Sequence, residues 1–220
     1  IFAGSNGGGV FLSTNNGSSW TSANIGLMNP NVLALAVSGT NLFAGTGGSG
    51  VFLSTNNGGS WTAVNAGLKY TDVLAFAVSG TNLFAGTSGG GVFLSTNNGT
   101  SWTPVNTGFT NTHVRALTVS GTNLFAGTDG GVFLSTNNGA TWTAFNTGLT
   151  NTDVYSLVVS DTNVLAGTSG GGVFLSTNNG ASWTQVNTGL GNAIVSALAL
   201  SFTILCAGTE GNGVFLSTNN

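Results

Sequence analysis

Charge is what this chain most lacks. Only two of its 220 residues are basic, Lys69 and Arg115, while five are acidic and one is His. Charged residues make up 3% of the chain, against roughly 25% in an ordinary soluble domain. Two cations cannot neutralise a phosphate backbone, so a nucleic-acid partner is excluded. Cysteine is nearly absent too: Cys206 stands alone, which rules out an intrachain disulfide. It falls where other repeats carry Phe43, Phe84, Phe125 and Leu165 and is read as a buried, inert thiol. No apolar run approaches the ~18 residues of a spanning helix, because Gly, Asn, Thr and Ser break every stretch, and membrane insertion is not expected. Ile1 in place of an initiator Met, and a last residue inside a repeated string, suggest a processed core or a fragment.

What the chain has in abundance is repetition. FLSTNN occurs six times, with its Ser at 13, 54, 95, 135, 176 and 217, so successive intervals are 41, 41, 40, 41 and 41 residues. A period of about 40 to 45 residues suits a four-stranded propeller blade, whose apolar faces can be buried only against further copies of itself. A parallel solenoid with two coils per repeat would show similarity at half the period, and none is visible.

Within one repeat, VLAFAVS (73–79) is β-branched and apolar, LFAGT (83–87) follows a Gly80-Thr81-Asn82 turn, and VFLS (92–95) leads through Thr96-Asn97-Asn98-Gly99 into SWTPVN (101–106). These are four short antiparallel strands joined by hairpin turns. Pro104 lacks the N–H that a central strand donates, which places the fourth strand at the blade edge. The expected fold is thus all-β, a single β-propeller domain over 1–220 with blades of about 41 residues. Whole blades fall at approximately 32–65, 73–106, 114–146 and 154–187, with remnants from 1–24 and 195–220. Because IFAGSNGGGVFLSTNN at 1–16 returns as LCAGTEGNGVFLSTNN at 205–220, the strands number twenty-two, two more than five blades need. A five-bladed ring is expected, with six incomplete blades as the alternative. The surplus hairpin or open edge would then support head-to-tail association of the chain with itself.

The string Ser95-Thr96-Asn97-Asn98-Gly99-Thr100-Ser101-Trp102 resembles the Asp-box, S-x-D-x-G-x-T-W, of the sialidase-type or bacterial-neuraminidase repeats. It recurs in full at 13–20, 54–61, 135–142 and 176–183. One departure is systematic: Asn replaces Asp at 15, 56, 97, 137, 178 and 219. The resemblance implies a structural turn remote from any active site. In it Ser95, Asn97, Gly99 and Trp102, and likewise Ser135, Asn137, Gly139 and Trp142, hold the hairpin, with the third-position side chain capping backbone N–H groups and Trp packing between blades. Sialidases use several Arg, a Tyr/Glu pair and an acidic general acid, whereas this chain has one Arg and one Glu, Arg115 and Glu210. No catalytic residue is assigned, no metal-ligand spacing or phosphate loop is found, and no cofactor is expected.

The repeats also serve as their own alignment. The first and third turns are nearly constant, while the connections between blades and the second hairpin vary, and in an up-and-down blade both variable segments lie at one end. Just before the first strand the residues are Asn31, Asp72, His113, Asp153 and Ile194; two positions later come Leu33, Leu74, Arg115, Tyr155 and Ser196. The rarest side chains of the chain therefore gather at equivalent places near the mouth of a central channel. Asn31, Asp72, His113, Arg115, Asp153 and Tyr155 are the candidate ligand-binding residues. The expected role is that of a non-enzymatic, structural or adhesive propeller, secreted or on a bacterial cell surface and possible to assemble with itself. The alternative is a lectin-like module holding a small glycan at the varied face, and a glycosidase ranks last.

Overall fold

The computed structural model describes residues 1–201 and 204–218; Asn219 and Asn220, and with them the sixth Asn of the turn motif, lie outside the described residues. The described chain is all β. Among the described residues no helix is long and apolar enough to cross a membrane.

Two compact units divide the chain, Ile1–Val105 and Asn106–Asn220. The first holds three blades. They are β1 (Phe2–Ser5), β2 (Gly9–Leu12) and β3 (Thr21–Ser22); β4 (Val32–Ser38), β5 (Asn41–Thr46), β6 (Gly50–Ser54) and β7 (Thr62–Ala63); and β8 (Val73–Ser79), β9 (Asn82–Thr87), β10 (Gly91–Ser95) and β11 (Thr103–Pro104). The second also holds three. They are β12 (Val114–Ser120), β13 (Asn123–Thr128), β14 (Gly131–Ser135) and β15 (Thr143–Ala144); β16 (Val154–Ser160), β17 (Asn163–Thr168), β18 (Gly172–Ser176) and β19 (Thr184–Gln185); and β20 (Val195–Ser201), β21 (Ile204–Thr209) and β22 (Gly213–Ser217).

Strand order within every sheet is sequential and antiparallel. The blades therefore number six, and the five-bladed expectation is overturned in favour of its alternative. The physical reason lies in the terminal strands, which do not merge into one composite blade. β3 pairs with β2 to make a three-stranded sheet without a first strand, and β20–β22 make a three-stranded sheet without a fourth.

The second strand of each whole blade is deeply buried. In β9 every residue after Asn82 is buried, and Phe84 is fully so. The apolar sequence drives this burial, at ~25 cal/mol per Å² of apolar surface removed from water. Thr87, also fully buried, satisfies its hydroxyl by donating to the Gly91 carbonyl at 2.9 Å. The fourth strand is shorter than the sequence pattern suggests. In the second blade only Thr62 and Ala63 pair with β6. After them the Asn65 side chain continues the edge, its Oδ1 accepting the Val51 N–H at 2.7 Å and its Nδ2 donating to the Ser49 carbonyl at 2.9 Å.

In the first five blades the Ser-Thr-Asn-Asn-Gly turn is closed through one buried hydroxyl. Ser95 Oγ accepts the Gly99 N–H at 2.8 Å and donates to Asn97 Oδ1 at 2.9 Å, and Asn97 Oδ1 in turn accepts the Ser101 N–H at 2.9 Å. Ser135, Asn137 and Gly139 repeat the arrangement. Asn98 at φ 55 and Gly99 at φ 80 supply the left-handed pair that the turn requires. The Trp that follows fastens its blade to the preceding one: Trp102 Nε1 donates to the Val64 carbonyl and its backbone N–H to the Ala66 carbonyl, each at 2.8 Å. Trp61 does the same with Ala23 and Ile25, and Trp183 with Phe145 and Thr147, while Trp142 donates its backbone N–H to Thr107. Gly26, Gly67, Gly108 and Gly148 make room for these contacts, because a Cβ at any of them would overlap the Trp carbonyl oxygen.

Candidate functional site

A β-bulge decides where the rare side chains go. At the start of β12, Val114 pairs with Thr128 and Ala116 with Gly127, so Arg115 has no partner across the ladder. The same two-against-one register recurs at Leu33, Leu74, Tyr155 and Ser196. Bulges of this kind re-aim a side chain out of the regular alternation. The apolar string VLALAV does not disclose it, since every residue there looks equally fit for a strand.

The segment just ahead of the bulge is fixed by an Asn two residues earlier. Asn111 Oδ1 accepts the His113 N–H at 3.0 Å, Asn151 Oδ1 accepts that of Asp153 at 3.1 Å, and Asn29 Oδ1 that of Asn31 at 2.9 Å. These are Asx turns, in which a side-chain carbonyl stands in for backbone. The second hairpin of a blade docks beside the connector that leads to the next: Gly50 donates its N–H to the Thr71 carbonyl at 2.8 Å, and Gly172 to that of Ala193 at 3.1 Å. The two variable segments are thereby neighbours.

In the second unit these devices bring five side chains together. Arg115 Nε lies 2.7 Å from Asp129 Oδ1 and 3.5 Å from Asp153 Oδ1. His113 Nδ1 is 3.8 Å from Asp129 Oδ2. The Arg115 guanidinium carbon sits 4.6 Å from the centre of the Tyr155 ring, a cation–π stack. His113, Arg115, Asp129 and Asp153 each keep about a third of the side chain exposed, so solvent and solutes reach them. The Asp153 side chain is 37% exposed, yet its Oδ1, turned to Arg115, is buried. Burial pushes the Asp153 carboxyl above the usual carboxylate range; Asp129 adds to this by hydrogen bonding and repulsion, while Arg115 and Ser169 pull the other way. Arg115 spends only Nε on hydrogen bonding, and among the described residues its two terminal nitrogens donate to nothing.

Of the candidates named from sequence, His113, Arg115, Asp153 and Tyr155 share this cluster. Asn31 and Asp72 hold the corresponding positions in the first unit, where the Asn31 carbonyl accepts the Gly47 N–H and the Asp72 carbonyl that of Ser88, each at 3.0 Å. Asn31 Oδ1 is buried without a hydrogen-bond partner among the described residues. Sequence reasoning missed Asp129, although a signal existed. The single interval of 40 residues marks a hairpin shortened by one residue, Asp129-Gly130, between Thr128 and Gly131. That shorter loop holds Asp129 within reach of the bulged Arg115.

Residues 78–199 match the DUF6242 beta propeller domain. The chain belongs to that family. No curated protein matches it. Among solved structures this DUF6242 chain is similar to an ancestral GH74 enzyme, at 23% identity and a TM-score of 0.79 over 98% of this chain and 34% of the other. The extracellular domain of BT4673 from B. thetaiotaomicron is similar at 20% identity and a TM-score of 0.79, over 100% of this chain and 32% of the other. YCF48 bound to D1 peptide is similar at 14% identity and a TM-score of 0.64, over 86% of this chain and 67% of the other. The chain spans about a third of the length of the first two. At such identities the likeness concerns the fold, and what it establishes is a β-propeller.

Proposed function

We propose that this propeller is a non-enzymatic binding module of the bacterial exterior, secreted or cell-surface, and that the Arg115 cluster holds a small neutral glycan. The observation that carries the reading is the unengaged end of the Arg115 guanidinium. Its two terminal nitrogens form a donor fork, flanked by carboxylate acceptors on Asp129 and Asp153 and backed by the Tyr155 ring. Donors, acceptors and an aromatic surface at one exposed place suit vicinal hydroxyls on an apolar sugar ring.

Similarity to extracellular domains supports the location, and the scarcity of charge suits a protein whose surface is wetted by amides and hydroxyls. Both nearby carboxylates are directed at one guanidinium nitrogen instead of facing each other across a gap fit for a glycosidic bond, which favours holding over hydrolysis. The constant turn is read as a sialidase-type Asp-box carrying Asn, a scaffold element with no part in binding.

A glycan array probed with the wild-type chain, Arg115→Ala and Tyr155→Ala tests the proposal. Wild type is expected to retain neutral oligosaccharides, and each variant to lose about tenfold or more of that affinity while melting within a few degrees of wild type. Binding unaltered in both variants, or no glycan retained at all, would sink it.

A further inference from the structure

One position on the variable face breaks a device that three other connectors keep. In the segments that lead into β4, β12 and β16, an Asn caps the backbone just ahead. Asn29 and Asn151 accept the N–H of the residue two places on, at 2.9 and 3.1 Å, and also clamp the second hairpin of the blade they enter. Their Nδ2 groups donate to the Gly47 carbonyl at 2.7 Å and to the Ser169 carbonyl at 2.8 Å. Asn111 makes the capping bond at 3.0 Å. In the segment that leads into β8 the corresponding residue is Tyr70. A phenol has neither the carbonyl nor the amide that these bonds need. This connector therefore gives up a cap and a clamp to place an aromatic ring at the rim.

The ring lies along the second hairpin of its own blade. Gly90 is buried beneath it and a Cβ there would overlap the ring, while Phe93 supports it with ring centres 6.4 Å apart. Seated in this way, Tyr70 still keeps 47% of its surface exposed. A ring held before a ligand arrives loses little freedom on being stacked upon. The other Tyr of the chain differs, because the Arg115 guanidinium already covers the Tyr155 ring. On the same connector Lys69 and Asp72 are both exposed, and neither enters an ion pair among the described residues. Asp72 Oδ1 leans toward Gly48 on the second hairpin of the preceding blade, where a Cβ would lie 3.9 Å from it. At φ 100, Gly48 sits in a conformation that side chains rarely adopt, so the floor beside the carboxylate stays bare.

We infer that Tyr70 is the stacking platform of a second sugar site, on which a neutral pyranose lays its apolar face while Asp72 accepts from its hydroxyls and Lys69 donates to them. One ring flanked by a carboxylate and an ammonium matches a ligand with apolar faces and a hydroxylated rim. A run of apolar side chains would find only that one ring to cover. The site shares with the Arg115 cluster its class of ligand and none of its residues, so each can fail alone.

Retention on an array of neutral oligosaccharides tests it, read for wild type, Tyr70→Asn, Tyr70→Phe, Arg115→Ala and the Tyr70→Asn/Arg115→Ala pair. Tyr70→Asn installs the residue that the other connectors carry, so it should melt within a few degrees of wild type while losing about threefold to tenfold in affinity. Tyr70→Phe keeps the ring and should bind as wild type does. Arg115→Ala should still retain glycans weakly, and the paired variant should retain none. Binding unchanged in Tyr70→Asn, or lost equally in Tyr70→Phe, would overturn the site. So would an Arg115→Ala chain that retains nothing, an outcome that leaves the Arg115 reading intact. Loss in Tyr70→Asn beside unaltered binding in Arg115→Ala would remove the Arg115 reading alone, and a wild type that retains no glycan would remove both.

Discussion

Asp153 is a carboxyl whose protonation the fold alters, and the alteration has a definite sign. Its value in the folded chain is raised above the ordinary 3.8, chiefly by burial and then by Asp129. Between 3.8 and the raised value the folded state holds a proton that the unfolded chain has released. Stability contributed by this group is therefore greatest at low pH and falls as pH rises through that window. Asp153→Asn should flatten the decline in urea midpoint across it, relative to wild type. An unchanged or steeper decline in the variant would show the sign to be wrong. The cluster around Asp153 was partly legible in the sequence, because rarity in register singled out His113, Arg115, Asp153 and Tyr155. Asp129 was not, since it sits in a different turn of the blade and only a three-dimensional hairpin brings it to Arg115. Nor could the sequence tell that Asn31 and Asp72 are fixed through their backbone carbonyls.

Among the elements, the turn that ends each third strand depends on a single hydroxyl. Ser95 is 1% exposed and bonds to Gly99 and Asn97 within the turn. Ser95→Ala leaves the Gly99 N–H buried without its acceptor, at a cost of about 1–3 kcal/mol. Chemical denaturation should register that loss, and a variant as stable as wild type would remove the hydroxyl from the account. Asn97 uses both ends of its amide, accepting from Ser101 N–H and donating to Ser101 Oγ at 2.9 Å, so the turn closes without an Asp. Strands and turns of this type were readable because period, Gly positions and alternation all point the same way. The blade count was not. β2 and β22 share the string GVFL, so the two offer β3 the same partner residues and sequence alone cannot choose between them. The bulge escaped for a related reason, as a run of apolar residues carries no mark of which one steps out of the ladder.

For the molecule as a whole, cohesion comes from copies and hardly at all from charge. Each unit repeats one solution, a buried second strand, a Trp seated on the preceding blade and an uncharged turn, in the manner of a one-dimensional array. Among the described residues, ion pairs gather around Arg115. Asp in the six motif positions would have added six negative charges to a chain whose net charge is only −3. The turns bear on chemical lifetime as well. Asn followed by Gly is the pair most prone to spontaneous deamidation, in which the Gly nitrogen attacks the Asn side chain to form a cyclic imide. All five turns contain that pair, at Asn16, Asn57, Asn98, Asn138 and Asn179. In each, the Gly N–H is held by a buried Ser hydroxyl at 2.8 or 2.9 Å, so the attacking nitrogen is occupied. Mass spectrometry after prolonged alkaline incubation should find these residues intact in the folded protein and converted in urea, and equal rates in the two would refute the protection. The serine that shapes the hairpin thus also slows its clock, and at these five pairs ageing begins only where a blade has opened.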